Sequence, residues 1–397
     1  METKFIWLTA FVGIYWAYCL FWGFKGARTA KTSTDYFLAG RSIGVWVFVL
    51  AATATSFSGW TFVGHPGKIF TDGLPYAFAS FYALTIPFTG VLFLRRQWVL
   101  GRAYNYITPG EMYSDYYGGN AMRLLTVLVA FLFSVPYLGV QLKASGSLFN
   151  VLSDGFISVN LGMFALTTVV VIYVASGGLK SVAYVDCAQA ILLAVGIVIL
   201  GGIALHYSGG WNGFTSGLAN IVMKDVSTGQ NLTPDGYSMK VALPGSIQMV
   251  SAGAKAAGGA WTGIMCMTYM FALMGIQSSP AFSMWAFANK TPQAFRWQQV
   301  IASSLIVGII LFTFTIFQGL GAHILVENGV LKNITDTNLI PELINLLSVA
   351  APWLVGLLAV CALAAMQSTG SAYMSTFSAM VTRDIYARYI SPDASDN

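Results

Sequence analysis

Residues 50–67 read LAATATSFSGWTFVGHPG and residues 270–288 read MFALMGIQSSPAFSMWAFA; in both, an apolar run long enough to enter a bilayer is interrupted near its middle. The interruptions are Ser56, Ser58 and Gly59 in the first, and Gly275, Gln277, Ser278, Ser279 and Pro280 in the second. Hydrocarbon offers no hydrogen bonds, so a chain that stops being helical there must bury its freed N–H and C=O groups in protein or against a cavity. Either interruption alone is explained as well by close helix packing, for which small residues are used in membranes. Two of them, at matching places in successive halves, point to an inverted-repeat transporter with its site at the repeat interface near the bilayer midplane.

The rest of the chain agrees. Of 397 residues, 56% are hydrophobic and 9% charged, against roughly 25% charged in a soluble domain. About 20 apolar residues span the ~30 Å hydrocarbon layer, and nine such segments occur, at 4–24, 44–70, 73–94, 122–150, 157–177, 186–206, 259–287, 297–325 and 350–382. The expected fold class is therefore an all-α polytopic membrane protein.

Basic residues cluster on every second connection: Lys25, Arg28, Lys31 and Arg41; Arg95, Arg96 and Arg102; Lys180; Lys290 and Arg296; Arg383 and Arg388. The positive-inside rule makes those connections cytoplasmic. In an inner membrane this puts the N-terminus outside, the C-terminus inside and the polar stretch after Gly209 outside. The first span carries Glu2 beside Lys4 and no clear small-residue cleavage site, so it reads as a retained anchor. The four cysteines lie in or beside apolar spans and the three histidines are scattered, which suggests neither a disulfide framework nor a metal cluster. Nothing in the charge pattern indicates nucleic-acid binding.

Four stretches resemble the sodium/solute symporter family: DYFLAGRSIG (35–44), ITPGEMYSDYYGG (107–119), YVASGGLKSVAYVDCAQ (173–189) and LAAMQSTGSAYMSTFSAMVTRDIY (363–386). The resemblance covers about residues 35–390 and is nearest the proline-type branch around SGWTFVGHPG. It implies a leucine-transporter-type inverted-repeat fold with a leading extra helix, its second repeat stopping after core helix 8. The parts are then 1–31, the leading helix and basic loop; 32–206, core helices 1–5; 207–258, an external loop; 259–390, core helices 6–8; and 391–397, a cytoplasmic tail or truncated loop.

Within these stretches, Thr108 and Glu111 have capping-box spacing, and Gly177 and Gly178 suit a tight turn before Asp186. Asp186 alone reads as a solvated acid at a helix start; the resemblance makes it an acid facing the inner sodium pathway. Ala365, Ser368 and Thr369, at i, i+3 and i+4, share one helix face. The resemblance adds the carbonyls of Ala54 and Phe57, giving a neutral all-oxygen cage suited to Na+. Asp186 and Ser371 are candidates for a second sodium or an exit path, although Ala372 stands where some members carry another hydroxyl. Candidate solute-binding residues beside the breaks are Ser58, Trp60, Tyr137, Gln277, Ser278 and Trp285. Ser56 and Trp285 replace an acid and a base of the proline-type branch, which argues for a different small solute.

The expected activity is sodium-coupled uptake of an amino acid, carboxylate or sugar. A symporter-like sensor domain preceding a signalling module is the alternative. A passive channel calls for a continuous polar stripe, which is absent from the sequence. An enzyme is disfavoured because no nucleophile–base pair, metal cluster or phosphate loop is evident; AKAAGGA (254–260) has neither a strand before it nor, after its glycines, the lysine a phosphate loop needs.

Overall fold

A computed structural model describes residues 2–233, 236–243, 262–272 and 274–393. Six described helices are long and apolar enough to cross a bilayer: Thr3–Ala27, Leu74–Tyr104, Asn120–Leu152, Val159–Tyr207, Gln293–Glu327 and Pro352–Ile390. Val45–Ser56 and Trp60–Asp72 meet at 56° and form one broken span. Gly263–Gln277 is a shorter apolar helix, and after Ser278 and Ser279 the chain is helical again over Pro280–Ala288. Among the described residues, strand-like pairing is confined to the isolated bridges Ile43–Asn289 and Leu232–Ser238.

Val159–Tyr207 is two crossings. Its 49 residues would measure ~74 Å if straight, more than twice the hydrocarbon thickness. The chain folds at Gly178, whose φ of 57° and ψ of −157° are essentially confined to glycine. Across the fold the Ser181 hydroxyl reaches the carbonyls of Gly178, at 2.8 Å, and Tyr173, at 3.0 Å. A straight helix would hold residues 173 and 181 about 12 Å apart.

This corrects the expected boundary. Residues 179–186 are helical, so no loop precedes Asp186, which lies about two turns inside the second arm and is wholly buried. Because Gly178 makes the whole turn by itself, a solvated helix start is not needed there. Within the expected external loop, Gly210–Thr228 is a helix. Residues 244–261, with AKAAGGA and the proposed boundary at 259, lie outside the described residues, as does the end of the tail from 394.

The long C-terminal helix runs through the middle of the bundle, with 89% of its most apolar stretch buried, against 22% for the leading helix. The leading helix packs closely because it presents glycines: a Cβ on Gly23 would sit 2.7 Å from the Tyr173 backbone, and one on Gly26 2.8 Å from Gly177. Its other end is fixed by Lys4, whose buried ammonium donates to Asp154 at 2.8 Å and Asn345 at 3.0 Å.

The four stretches that carried the resemblance are joined in space. Tyr36 donates its hydroxyl to the carbonyls of Val174 and Ala175, at 3.1 and 2.9 Å, clamping the first stretch on the third. Thr108 and Glu111 do form a capping box, and the Thr108 hydroxyl donates to Asp384 at 2.9 Å while Arg383 pairs with Glu111 at 3.1 Å. The second stretch is thus bound to the fourth.

Replacing Gly178 with Ala forces a side chain into a disfavoured backbone region and against the Tyr36 carbonyl. We expect a loss of about 1–3 kcal/mol from strain alone, read as a lower thermal midpoint in detergent. Gly118, also at positive φ but with open space around it, should tolerate Ala with a smaller drop.

Candidate functional site

The first broken helix ends at Ser56 because Phe57 turns extended, with φ −115° and ψ 102°. The Ala54 carbonyl lies in the last turn, where helix carbonyls lack a main-chain partner, and it accepts the Ser368 hydroxyl at 3.1 Å. That hydroxyl is also 3.2 Å from the Ala365 carbonyl. One residue further on, the Thr369 hydroxyl is fully enclosed with no hydrogen-bond partner. Buried polar atoms are almost always paired, so this enclosed hydroxyl, next in sequence to Ser368 and one helical turn on from Ala365, fits a site that takes a bare cation.

A buried acid adjoins this group. The Ser371 hydroxyl is 3.3 Å from Asp186 Oδ1 and 3.1 Å from the Ser368 carbonyl, while Asp186 Oδ2 has no partner. Gln189 on the next turn donates to the Tyr15 hydroxyl at 2.6 Å, so the leading helix helps enclose the acid.

The other face of the break meets a neutral network. Gln277 donates to the Ser56 hydroxyl at 2.9 Å, and Gln298 donates to Ser303 at 2.9 Å. Gln299 donates to Gln277 at 3.3 Å and is bonded to Gln298. The Trp285 indole donates to Thr55 at 3.2 Å, its ring edge-on to Phe48 and fully buried. At the restart of the helix, the Gly59 N–H donates to Gln141 Oε1 at 2.8 Å. A Cβ on Gly59 would lie 2.7 Å from both Gln141 and Met366, so the break admits only glycine without displacement.

Of the solute candidates, Ser58 is buried and accepts the Trp60 N–H at 3.1 Å, while Trp60 and Tyr137 are half-buried. Tyr137 stacks edge-on with Tyr373, 5.3 Å between centroids, and Tyr373 bonds Ser279 at 3.0 Å. Ser278 is exposed, and its neighbour Ser279 is buried. Sequence reasoning missed Gln141, Gln298, Gln299, Ser279 and Tyr373. Gln141 had a legible signal, as an uncharged amide inside an apolar span that needs a partner.

At the end of the bundle carrying Arg41 and Arg102, the ends of both broken helices are clasped. Arg41 donates to the carbonyls of Tyr106, at 2.8 Å, and Phe287, at 3.4 Å. Arg102 donates to those of Arg41, at 2.7 Å, and Asn289, at 2.8 Å. Burial first, and the Arg102 charge second, lower the Arg41 pKa from its ordinary value.

Two broken helices crossing beside a central hydroxyl-bearing helix define the class of secondary transporters with a midplane site. The sodium:solute symporter family profile matches residues 36–397, and the chain belongs to that family. It is thus a multi-pass membrane protein among transporters rather than enzymes. The high-affinity proline transporter PutP of Bacillus subtilis is 28% identical over 192 residues, covering 47% of this chain and 40% of that protein. The sodium/proline symporter of Escherichia coli is 24% identical over 385 residues, 94% of this chain and 69% of that one. Against the Bacillus subtilis protein, then, the match spans only about two fifths of the relative's length. A Na+-coupled sialic acid symporter, solved substrate-bound and outward-open, superposes with a TM-score of 0.76 at 17% identity, over 99% of this chain and 75% of that one. This bears on fold alone and agrees with the expected leucine-transporter-type architecture.

Gln141→Leu strands the Gly59 N–H in the membrane interior. We expect a cost of about 1–3 kcal/mol, measured as a lower thermal midpoint, with Gln141→Glu, which keeps an acceptor, losing less.

Proposed function

We propose that the chain forms the core of a sodium-coupled symporter that takes up a small organic solute by alternating access. The observation that carries this reading is the enclosed, unpartnered Thr369 hydroxyl beside the Ser368–Ala54 contact at the helix break. Sodium is held by the carbonyls of Ala54, Phe57 and Ala365 and the hydroxyls of Ser368 and Thr369. The Ser368 hydroxyl donates to Ala54; a bound cation would be met by that hydroxyl's lone pair instead and would take over the tie between the broken helix and the C-terminal helix. Asp186 and Ser371 offer a second position on the way in or out.

Solute binds on the opposite side of the same break, near Ser58, Trp60, Tyr137 and Gln277. Ser278 stands at the second break, and Trp285 acts as a wall behind Thr55. Sodium and solute therefore share one structural element, and each improves the affinity of the other by the same factor. Each ion entering across ~100 mV supplies about 2.3 kcal/mol and a tenfold gradient about 1.4 kcal/mol, together enough for about 500-fold accumulation.

Sidedness follows from the basic connections: N-terminus outside, C-terminus and the Arg41–Arg102 clasp in the cytoplasm. Proline, carried by the matched relatives according to their names, is the first solute to test. Neutral Ser56 and Trp285, where the proline-type branch has an acid and a base, are the reason to test other amino acids, carboxylates and sugars beside it.

The deciding measurement is the thermal midpoint of the purified protein in sodium against potassium. Sodium should stabilise the wild type, and Ser368→Ala or Thr369→Ala should raise the half-saturating sodium concentration at least about tenfold, ~1.4 kcal/mol. Folded protein indifferent to sodium would falsify the coupling.

A further inference from the structure

A groove of about 630 Å³ opens on the flank of the bundle between Leu74–Tyr104 and Gln293–Glu327. Both walls are locally wide-wound, over Gly90–Leu94 and Trp297–Val307, a feature frequent at functional sites in helices. Gly90 leaves the space: a Cβ there would lie 2.7 Å from Gln299. Gln299 lines the groove, is 2% exposed, and has its Oε1 buried without a partner. Arg95 and Arg296 stand at the lip, both exposed and, among the described residues, in no ion pair. The Arg296 guanidinium lies over the Trp297 ring, 5.7 Å from its centre.

We propose that this groove binds an acidic glycerophospholipid of the cytoplasmic leaflet. Two unpaired guanidiniums converge on one opening, which is the charge arrangement that holds a phosphodiester, and basic pockets between membrane helices on that side take anionic headgroups. A glycerol headgroup leaves the phosphodiester's negative charge uncompensated for the two arginines, whereas a choline headgroup cancels it. Exposed Leu84, Phe88 and Leu92, spaced at i, i+4 and i+8, form an apolar track on the same helix as Arg95. That track suits an acyl chain and gives a free anion nothing. Trp297 beside Trp46, 6.0 Å between rings, places the lip at the depth where membrane aromatics gather.

The assignment uses the proposed sidedness but not the transport reading, because lipid retention is measured without sodium or solute. Purified protein is titrated with phosphatidylglycerol, with phosphatidylcholine of the same chains and with inorganic phosphate, and bound lipid is read by native mass spectrometry beside the thermal midpoint. The wild type should retain phosphatidylglycerol and be stabilised by it alone. Arg95→Gln with Arg296→Gln should weaken retention about thirtyfold, as expected for two lost charges near an anionic headgroup. A control pair far from the groove, Arg28→Gln with Lys31→Gln, should leave it unchanged. Equal retention of both lipids, stabilisation by phosphate alone, or undiminished binding in the Arg95 and Arg296 variant would overturn the proposal. Displacement of the lipid by solute at saturating sodium would also overturn it, by making the groove part of the solute path.

Discussion

The constraint on which the bundle depends is a few unpaired main-chain groups in the middle of a membrane. A helix that stops at Ser56 and resumes at Trp60 exposes carbonyls on one side and N–H groups on the other, and hydrocarbon satisfies neither. The protein answers from the neighbouring helices. Gln141 reaches the Gly59 N–H, and Ser368 reaches the Ala54 carbonyl. The central position of the C-terminal helix follows, because only a buried helix can bring hydroxyls to that point. What is left over, the Thr369 hydroxyl, is what makes the region chemically available rather than merely repaired.

The remaining polar groups at the break are neutral. Three glutamines and the hydroxyls of Ser56 and Ser303 hold one another where charged pairs would carry a heavy desolvation cost. Amides and hydroxyls both donate and accept, so such a network can exchange partners without moving net charge across the bilayer. Asp186 is the exception: a buried acid two turns past the Gly178 fold, touching Ser371 and screened from the lipid by the leading helix.

Much of this was legible in the residues. The break at Ser56 and the run of hydroxyls at 365–369 come from local composition and period, and the structure has a helix that stops at Ser56 and a long buried helix carrying Ser368 and Thr369. The position of Asp186 was less legible because the fold there is made by one glycine rather than by a polar loop, and spacing alone does not show where a helix restarts. Gln298 and Gln299 open a span and read as interfacial; only the packing of that span against both breaks draws them inward. Ser278 and Ser279 are adjacent, and the choice between them depends on Pro280 starting the next helix, a matter of one residue in phase.

The clasp made by Arg41 and Arg102 grips main-chain oxygens: the carbonyls of Tyr106, Phe287, Asn289 and Arg41 itself. Every residue type carries a carbonyl, so the gripped positions are free to drift in sequence without loosening the hold, while the two arginines are not. Genetic variation at this end of the molecule is therefore partitioned unevenly, with the side chains of Arg41, Arg102 and Trp98 carrying the selective load of this grip and the main-chain oxygens they hold carrying none of it.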